Sequence, residues 1–392
     1  MNGPVLGSAD VAIIGGGLMG CATALHLAAG GVDVAVIERG SLNREASGAN
    51  AGSLHLQIYI HPHFPDHWID SIRPSIALLR DAARSWATME TRLSADCGIR
   101  LGGGLWVAET AEEMTLIRMK VAAENADGVQ SRIVTREELL GIAPYLGPHV
   151  IGGSYLQGEG FANPLLVTPA HARAARAHGA RFFTDTAVEG IEKLDGGGFR
   201  LTSSKGEFTC RRLVCAAGAW TGVLARMLGL DLPIAGSVGQ VSVTDARPPI
   251  MLDHMLQHVG KGLTLKQSPQ GAFIIGGGWP GHFDRAQGRS VPLQDSIIGN
   301  CWVAARTVPE VGQAQLVRSW GGMASGVPDG LPILGPSSQV EGLYLVYAPL
   351  GFTMGPICGQ VFAELFLTGN ASVPVAAFSP DRFATRARHA QA

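Results

Sequence analysis

Charge is scarce in this 392-residue chain: Asp, Glu, Lys and Arg together make up 16%, and the signs nearly cancel to a net −2. No dense Lys/Arg run is present, which argues against a nucleic-acid partner or an anionic membrane surface. Cysteine is also thinly spread. Cys21, Cys97, Cys210, Cys215, Cys301 and Cys358 include no CxxC pair, so the sequence spells out no zinc or iron–sulfur site of its own. No apolar run approaches the roughly 20 residues of a membrane-crossing helix, so no transmembrane segment is expected. The opening MNGPVLGSADVAIIGG lacks the basic region, long apolar stretch and small-residue cleavage site of an export signal. These absences predict reduced, buried thiols and a cytoplasmic location.

Apolar residues, at 46%, are plentiful enough for a large core, and the length exceeds what one core usually fills. Two closely packed domains are expected. Residues 10–39 read DVAIIGGGLMGCATALHLAAGGVDVAVIER: an apolar run, a glycine turn, a helix-patterned stretch, a Gly-Gly stop and a second apolar run ending in an acid. This is the pattern of a βαβ unit that holds a dinucleotide. Gly15 permits the tight turn, Gly17 lets a pyrophosphate approach the helix N-terminus, and Gly20 lets helix and strand pack closely. Glu38 stands where a carboxylate accepts hydrogen bonds from a ribose diol. Further strands are expected at Leu213–Ala217, Val238–Val243, Ala272–Ile275 and Leu343–Tyr347, and helices at Ile72–Thr91, Glu112–Asn125 and Leu166–His178. There is no low-complexity linker or fixed-period repeat, so a second domain must be interleaved with the first.

Which nucleotide the turn holds depends on the rest of the chain. After Glu38, the segment ERGSLNREASGANAGSLHLQ offers small residues whose amides and hydroxyls suit a second length of cofactor. RRLVCAAGAW (211–220) reads as a strand ending in a glycine turn, and PLGFTMGP (349–356) as a third glycine turn opening a helix. A helix N-terminus favours the negative charge of a reduced isoalloxazine, which a nicotinamide does not develop. Three such turns fit FAD better than NAD.

VAIIGGGLMG, GGLWVAET, VTREELLGIAP, GFANPLLVTPAHARAARAHGARFF, VCAAGAWTGVLARMLGLDLPI and PDGLPILGP together resemble the D-amino acid oxidase type of FAD-dependent amine oxidoreductases, over nearly the whole chain. This type includes glycine oxidase and sarcosine oxidase. SGANAGSLHLQ and PLGFTMGP look most like the FAD-bearing β subunits of heteromeric dehydrogenases acting on opines, D-hydroxyproline or glycine with cyanide release. The resemblance implies an α/β fold in which a Rossmann-like FAD-binding domain (1–75, 150–232 and 318–392) is interleaved with an α+β substrate domain on an antiparallel or mixed sheet (76–149 and 233–317). It places Gly15, Gly17, Leu18, Met19 and Gly20 at the pyrophosphate, Glu38 at the adenosine ribose and Arg39 over the adenine. Ser47, Asn50, Ala51, Gly52 and Ser53 would follow the cofactor toward the flavin, with Val188 against adenine and Ala217, Gly218 and Trp220 along its middle. Gly351, Phe352, Thr353 and Met354 would close over the pyrimidine end of the ring. One feature departs from the family pattern: Ala324 stands where glycine oxidase-like members carry an Arg that clamps the substrate carboxylate.

The reaction implied is oxidation of a CH–N bond by hydride transfer to flavin N5, leaving an imine that hydrolyses. The flavin supplies the chemistry, so no catalytic acid or base is assigned. His55 and Gln57 are the expected polar contacts for substrate or ring, with Thr264 and Trp279 as further pocket wall. His61, His63 and His67 in YIHPHFPDHW read as a surface loop near the active-site mouth or a contact between protomers, against a metal site, and Asp329 in PDGL as a turn residue. Partner subunits with an iron–sulfur cluster and FMN are implied, an α and a small one, or else a homo-oligomer. Three alternatives remain open: a stand-alone glycine/sarcosine-type oxidase using O₂, a structural FAD-binding scaffold subunit, and an NAD-linked dehydrogenase.

Overall fold

The computed structural model describes residues 4–251 and 254–384; residues 1–3, 252–253 and 385–392 of the expected domains lie outside them. The βαβ reading holds: strand Val5–Ile14, helix Leu18–Ala29 and strand Val34–Ile37 are joined by the glycine turn, with the strands parallel. They sit in the middle of an eight-stranded mixed sheet. Its main path runs Ile333–Pro336, Leu343–Tyr347, Gly206–Cys215, Val5–Ile14, Val34–Ile37, Arg181–Phe183, and all pairs but the first are parallel. Val188–Lys193 and Phe199–Ser203 extend it as an antiparallel flap on Gly206–Cys215.

Parallel strands are buried on both faces, so they read as continuous apolar runs. Val11 and Ile13 point into one core layer beneath helices Leu18–Ala29, Ile76–Leu93 and Gly351–Thr368, whereas Ala12 and Ile14 point into the opposite layer with Leu213, Cys215 and Leu345. Helix Pro164–Ala177 packs against Leu18–Ala29 on the first side.

The second sheet also has eight strands, in the order Leu316–Gly326, Ala235–Ala246, Ala272–Gly276, Leu263–Gln267, Met255–His258, Gly104–Ala108, Gly152–Leu156, Arg132–Thr135. Only Met255–His258 with Gly104–Ala108 is parallel, which makes this the mixed, mainly antiparallel sheet expected of the second layer. Helix Gln294–Thr307 covers one face, with Val303 and Ala304 in the core there. Two of the expected boundaries fall within this sheet. Gly152–Leu156 pairs with Gly104–Ala108, past the boundary at 150, and Leu316–Gly326 pairs with Ala235–Ala246, across the boundary at 318. Both strands are completed by partners distant in sequence, which no local pattern reveals.

Candidate active site

The four parallel strands Val34–Ile37, Val5–Ile14, Gly206–Cys215 and Leu343–Tyr347 all end on one side of the first sheet, where ligands of open α/β sheets bind. Their following turns, 15–17, 38–39, 216–220 and 348–351, line a cavity of about 710 Å³ that continues to the second sheet. At the first turn, Gly15 has φ +118°, and a Cβ there would stand 2.5 Å from the Ala216 carbonyl oxygen. Only glycine fits this conformation and this approach. Gly17 and Met19 share the wall, whereas Gly20 lies behind it at the strand–helix contact and Leu18 turns its side chain into the core. Two helix N-termini, Leu18–Ala29 and Gly351–Thr368, face the cavity with first-turn amides that have no acceptor within the helix. One of them, the Leu18 amide, donates to Ser47 Oγ at 2.9 Å.

Glu38 follows strand Val34–Ile37 at the cavity and accepts from the Gly16 amide (2.6 Å) and the Gly40 amide (2.9 Å). The Arg39 guanidinium stacks 3.7 Å over the Trp220 ring and pairs with Glu45 at 2.7 Å. Val188, Ala217 and Gly218 complete this end of the wall. The SGANAGS segment folds on itself: Asn50 Nδ2 donates to the Ser47 carbonyl at 2.7 Å and Asn50 Oδ1 accepts from the Gly52 amide at 2.7 Å. Ser47, Asn50, Ala51 and Ser53 border the cavity, but Gly52 turns away at φ +81°. Gly351, Phe352 and Thr353 close the opposite wall; Met354 is buried in the core beneath them.

At the far end, His55 and Thr264 line the cavity, together with Gln240, Met323, Ala324 and Tyr59. The His55 amide donates to Thr353 Oγ1 at 2.9 Å, and its ring Nδ1 meets Gln257 Oε1 at 2.8 Å. Burial holds the imidazole down to about 4, neutral at physiological pH. The Gln240 and Gln257 side-chain amide nitrogens are buried without a hydrogen-bond partner. Lys266, fully buried, donates to Ser53 Oγ at 2.8 Å, and burial lowers its ammonium to about 7.

Gln57, expected as a polar contact, and Trp279, expected as pocket wall, lie away from the cavity. Gln57 is fully buried below the cavity, where its side chain meets Glu159, Lys120 and Ser154. Trp279 follows the wall glycines Gly277 and Gly278 but turns away from the cavity, against Gly299 of helix Gln294–Thr307, its indole donating to the Gly262 carbonyl at 2.8 Å. Trp279 directly follows a wall residue, whereas Gln57 sits between His55 and Tyr59, which line the cavity while it does not, so the backbone over 55–59 departs from regular strand alternation. Among the residues not singled out beforehand, Asn43, Arg44, Gln240, Gly276 and Met323 line the cavity. A lone Lys in the apolar run LTLKQ was the one available signal for Lys266. Among the described residues no cluster of His, Cys, Asp and Glu is arranged to hold a metal, and His63 and His67 are exposed. Asp329 fixes its turn by accepting from the Leu331 amide at 3.2 Å. No described helix is long and apolar enough to cross a membrane.

The cavity fits FAD: a glycine turn with no room for a Cβ, two helix N-termini for phosphate and electron-rich ring, and a carboxylate beside the first turn. Comparison with known proteins agrees. Residues 10–365 match the family "FAD dependent oxidoreductase". The B chain of the opine oxidase of Rhizobium meliloti is 30% identical over 95% of this chain and 97% of its own length. The beta chain of the sarcosine oxidase of the same species, strain 1021, is 25% identical over 95% of this chain and 88% of its own. The crystal structure of glycine oxidase from Geobacillus kaustophilus superposes with a TM-score of 0.86 at 27% identity, covering 96% of this chain and 99% of that one. The chain therefore belongs to the FAD-dependent oxidoreductase family, and its cofactor is FAD.

Proposed function

We propose that the chain is the catalytic, FAD-bearing β subunit of a heteromeric dehydrogenase that oxidises the CH–N bond of an opine, D-amino acid or cyclic imino acid. The observation that carries this reading is His55 at the end of the cavity remote from the nucleotide turn, held there by Gln257 and Thr353. When bound, the isoalloxazine supplies the hydride acceptor. With Gln257 Oε1 accepting from Nδ1, the imidazole keeps Nε2 as an acceptor for the N–H of a substrate amine. Thr264 and Tyr59 border the same end, and the Thr353 hydroxyl fixes the His55 backbone. The helix beginning at Gly351 favours negative charge at its N-terminus and would stabilise the reduced ring there.

Ala324 on the wall offers no carboxylate clamp, which supports a substrate larger than glycine that anchors its carboxylates elsewhere. The cofactor contacts proposed are the wall residues given above from Gly15 to Thr353; Gln57 and Trp279 are not among the substrate contacts. The opine oxidase and sarcosine oxidase relatives are each one subunit of their enzyme, which supports partner subunits for this chain; an α and a small one, carrying any iron–sulfur cluster and FMN, complete the proposal. A stand-alone oxidase using O₂ is the second reading, supported by the likeness to a glycine oxidase along its full length.

Anaerobic titration of the yellow protein with a panel of opines, D-amino acids and cyclic imino acids tests the proposal. Bleaching of the visible flavin band by an opine or imino acid is expected, followed by slow recovery in air. Rapid recovery in air favours the oxidase. No bleaching by any of them, with partner subunits present, overturns the catalytic reading in favour of a scaffold.

A further inference from the structure

Between the short strand Ser53–Leu54 and residue Tyr59, the chain runs through the interior with Leu56, Gln57 and Ile58 all buried. It belongs to neither large sheet, yet its amides are satisfied. Side chains from three distant elements accept them. Thr353 Oγ1 takes the His55 amide, Glu159 Oε1 takes those of Leu56 (2.8 Å) and Gln57 (3.0 Å), and Glu124 Oε1 takes that of Ile58 (2.6 Å).

The two carboxylates are themselves fixed. Glu159 also accepts from Gln57 Nε2, and Gln57 Oε1 accepts from Lys120 Nζ (2.7 Å) and Ser154 Oγ (2.9 Å). Lys120 Nζ reaches Glu124 at 3.0 Å, and Ser131 donates to the same carboxylate. Lys120, Glu124 and Glu159 have no measurable exposure. Gly104 makes room for the cluster, since a Cβ there would collide with the Glu159 carboxylate. Buried charges of this kind are costly relative to apolar packing, so stability alone does not explain two carboxylates around one ammonium. Their geometry does: each carboxylate accepts main-chain amides of the segment whose two ends, His55 and Tyr59, line the cavity.

We infer that Glu159 and Glu124, which do not touch the cavity, are positioning residues that set where the His55 and Tyr59 side chains stand against the substrate. The inference rests on the substrate role proposed for His55. Burial, which pushes the Glu159 carboxyl up to about 7, is consistent with a group held in place at some electrostatic cost.

The test is a double-mutant cycle between Glu159→Gln and His55→Gln in the FAD-loaded full chain, read by the rate of anaerobic flavin bleaching and by the ¹⁵N imidazole signals of selectively labelled histidine. Glu159→Gln is expected to retain FAD and slow bleaching about tenfold, the scale of a misplaced contact. The double variant should be no slower than His55→Gln alone, and the His55 imidazole signals should shift in Glu159→Gln. Multiplying losses, or unchanged His55 signals, would overturn the inference. If Glu159→Gln does not fold, Ser154→Ala, which withdraws one donor from Gln57, is expected to shift the same signals by less, and an unshifted spectrum counts against the inference. Should no amine bleach the wild-type flavin, the proposed function fails, and the imidazole signals alone then decide the positioning role.

Discussion

At the nucleotide end of the cavity the decisive contacts are made within or just after one βαβ unit, with the Gly16 amide reaching Glu38 and the Leu18 amide reaching Ser47. At the far end, His55 is held by Gln257, 202 positions along, and by Thr353, 298 positions along. The first end is set by backbone geometry that only certain residues can adopt. The second is an assembly of side chains from the second sheet, a helix of the first layer and an irregular segment, any one of which is ordinary by itself. The two ends should therefore break in different ways: the first by losing the cofactor, the second by losing the reaction while keeping it.

Gly15→Val is the largest expected effect. It places a branched side chain at φ +118° and against the Ala216 carbonyl, at a strain of about 1–3 kcal/mol before the collision is counted. The purified protein should be nearly colourless, with FAD affinity lowered by ~10-fold or more, as measured by absorbance and flavin titration. Full occupancy would show that the turn is not the anchor.

His55→Leu makes the opposite case. The side chain borders the cavity far from the first turn, so FAD content should match wild type while the rate of bleaching by the best amine falls ~10²-fold, measured by stopped flow without oxygen. Loss of FAD in step with loss of rate would erase the distinction between the two ends.

The same difference explains what was legible in the sequence. Gly15, Glu38 and the alternation of strand and helix carry local signatures, because turn sterics and amphipathic periods act over a few residues. The third glycine turn was readable for the same reason, and helix Gly351–Thr368 begins at its first glycine. Gln57 and Trp279 were misplaced because nearness in sequence to wall residues says nothing about side-chain direction where the backbone is irregular. Glu159, Glu124 and Lys120 gave no signal at all. In sequence they look like surface charges, and only long-range packing buries them.

Ala324→Arg sharpens the comparison by adding to the far end the clamp it lacks. Ala324 borders the cavity on strand Leu316–Gly326, opposite Ser237. A guanidinium there should bind a carboxylate in bidentate fashion. For glycine or sarcosine, KM is expected to fall ~10-fold, the equivalent of one charge-assisted hydrogen bond, with the bound FAD spectrum unchanged. An unaltered KM would mean that this part of the wall does not meet the substrate's carboxylate.

The smallest effect is on stability, and it joins the two ends. His26 and His171 in the nucleotide layer and His55 at the far end are all held down to about 4 from an ordinary 6.5, chiefly by burial. Their folded forms refuse protons that the unfolded chain accepts, so their contribution is present above 6.5 and is lost as pH falls toward 4. Glu159, raised to about 7 from 4.5, has the opposite sign: it keeps a proton the unfolded chain has released, and stability falls as pH rises through that window. Lys266 lies outside the window, since its shift spans about 7 to 10.5. The three histidines, with His258 lowered in the same direction, outweigh the one carboxyl, so Tm of the FAD-loaded protein should climb by several degrees between about pH 4.5 and 6.5. His171→Gln removes one of the three without touching the cavity wall and should flatten that climb, whereas Glu159→Gln should steepen it. A slope that ignores both substitutions would place the acid sensitivity in other groups and leave the buried histidines without a role in it.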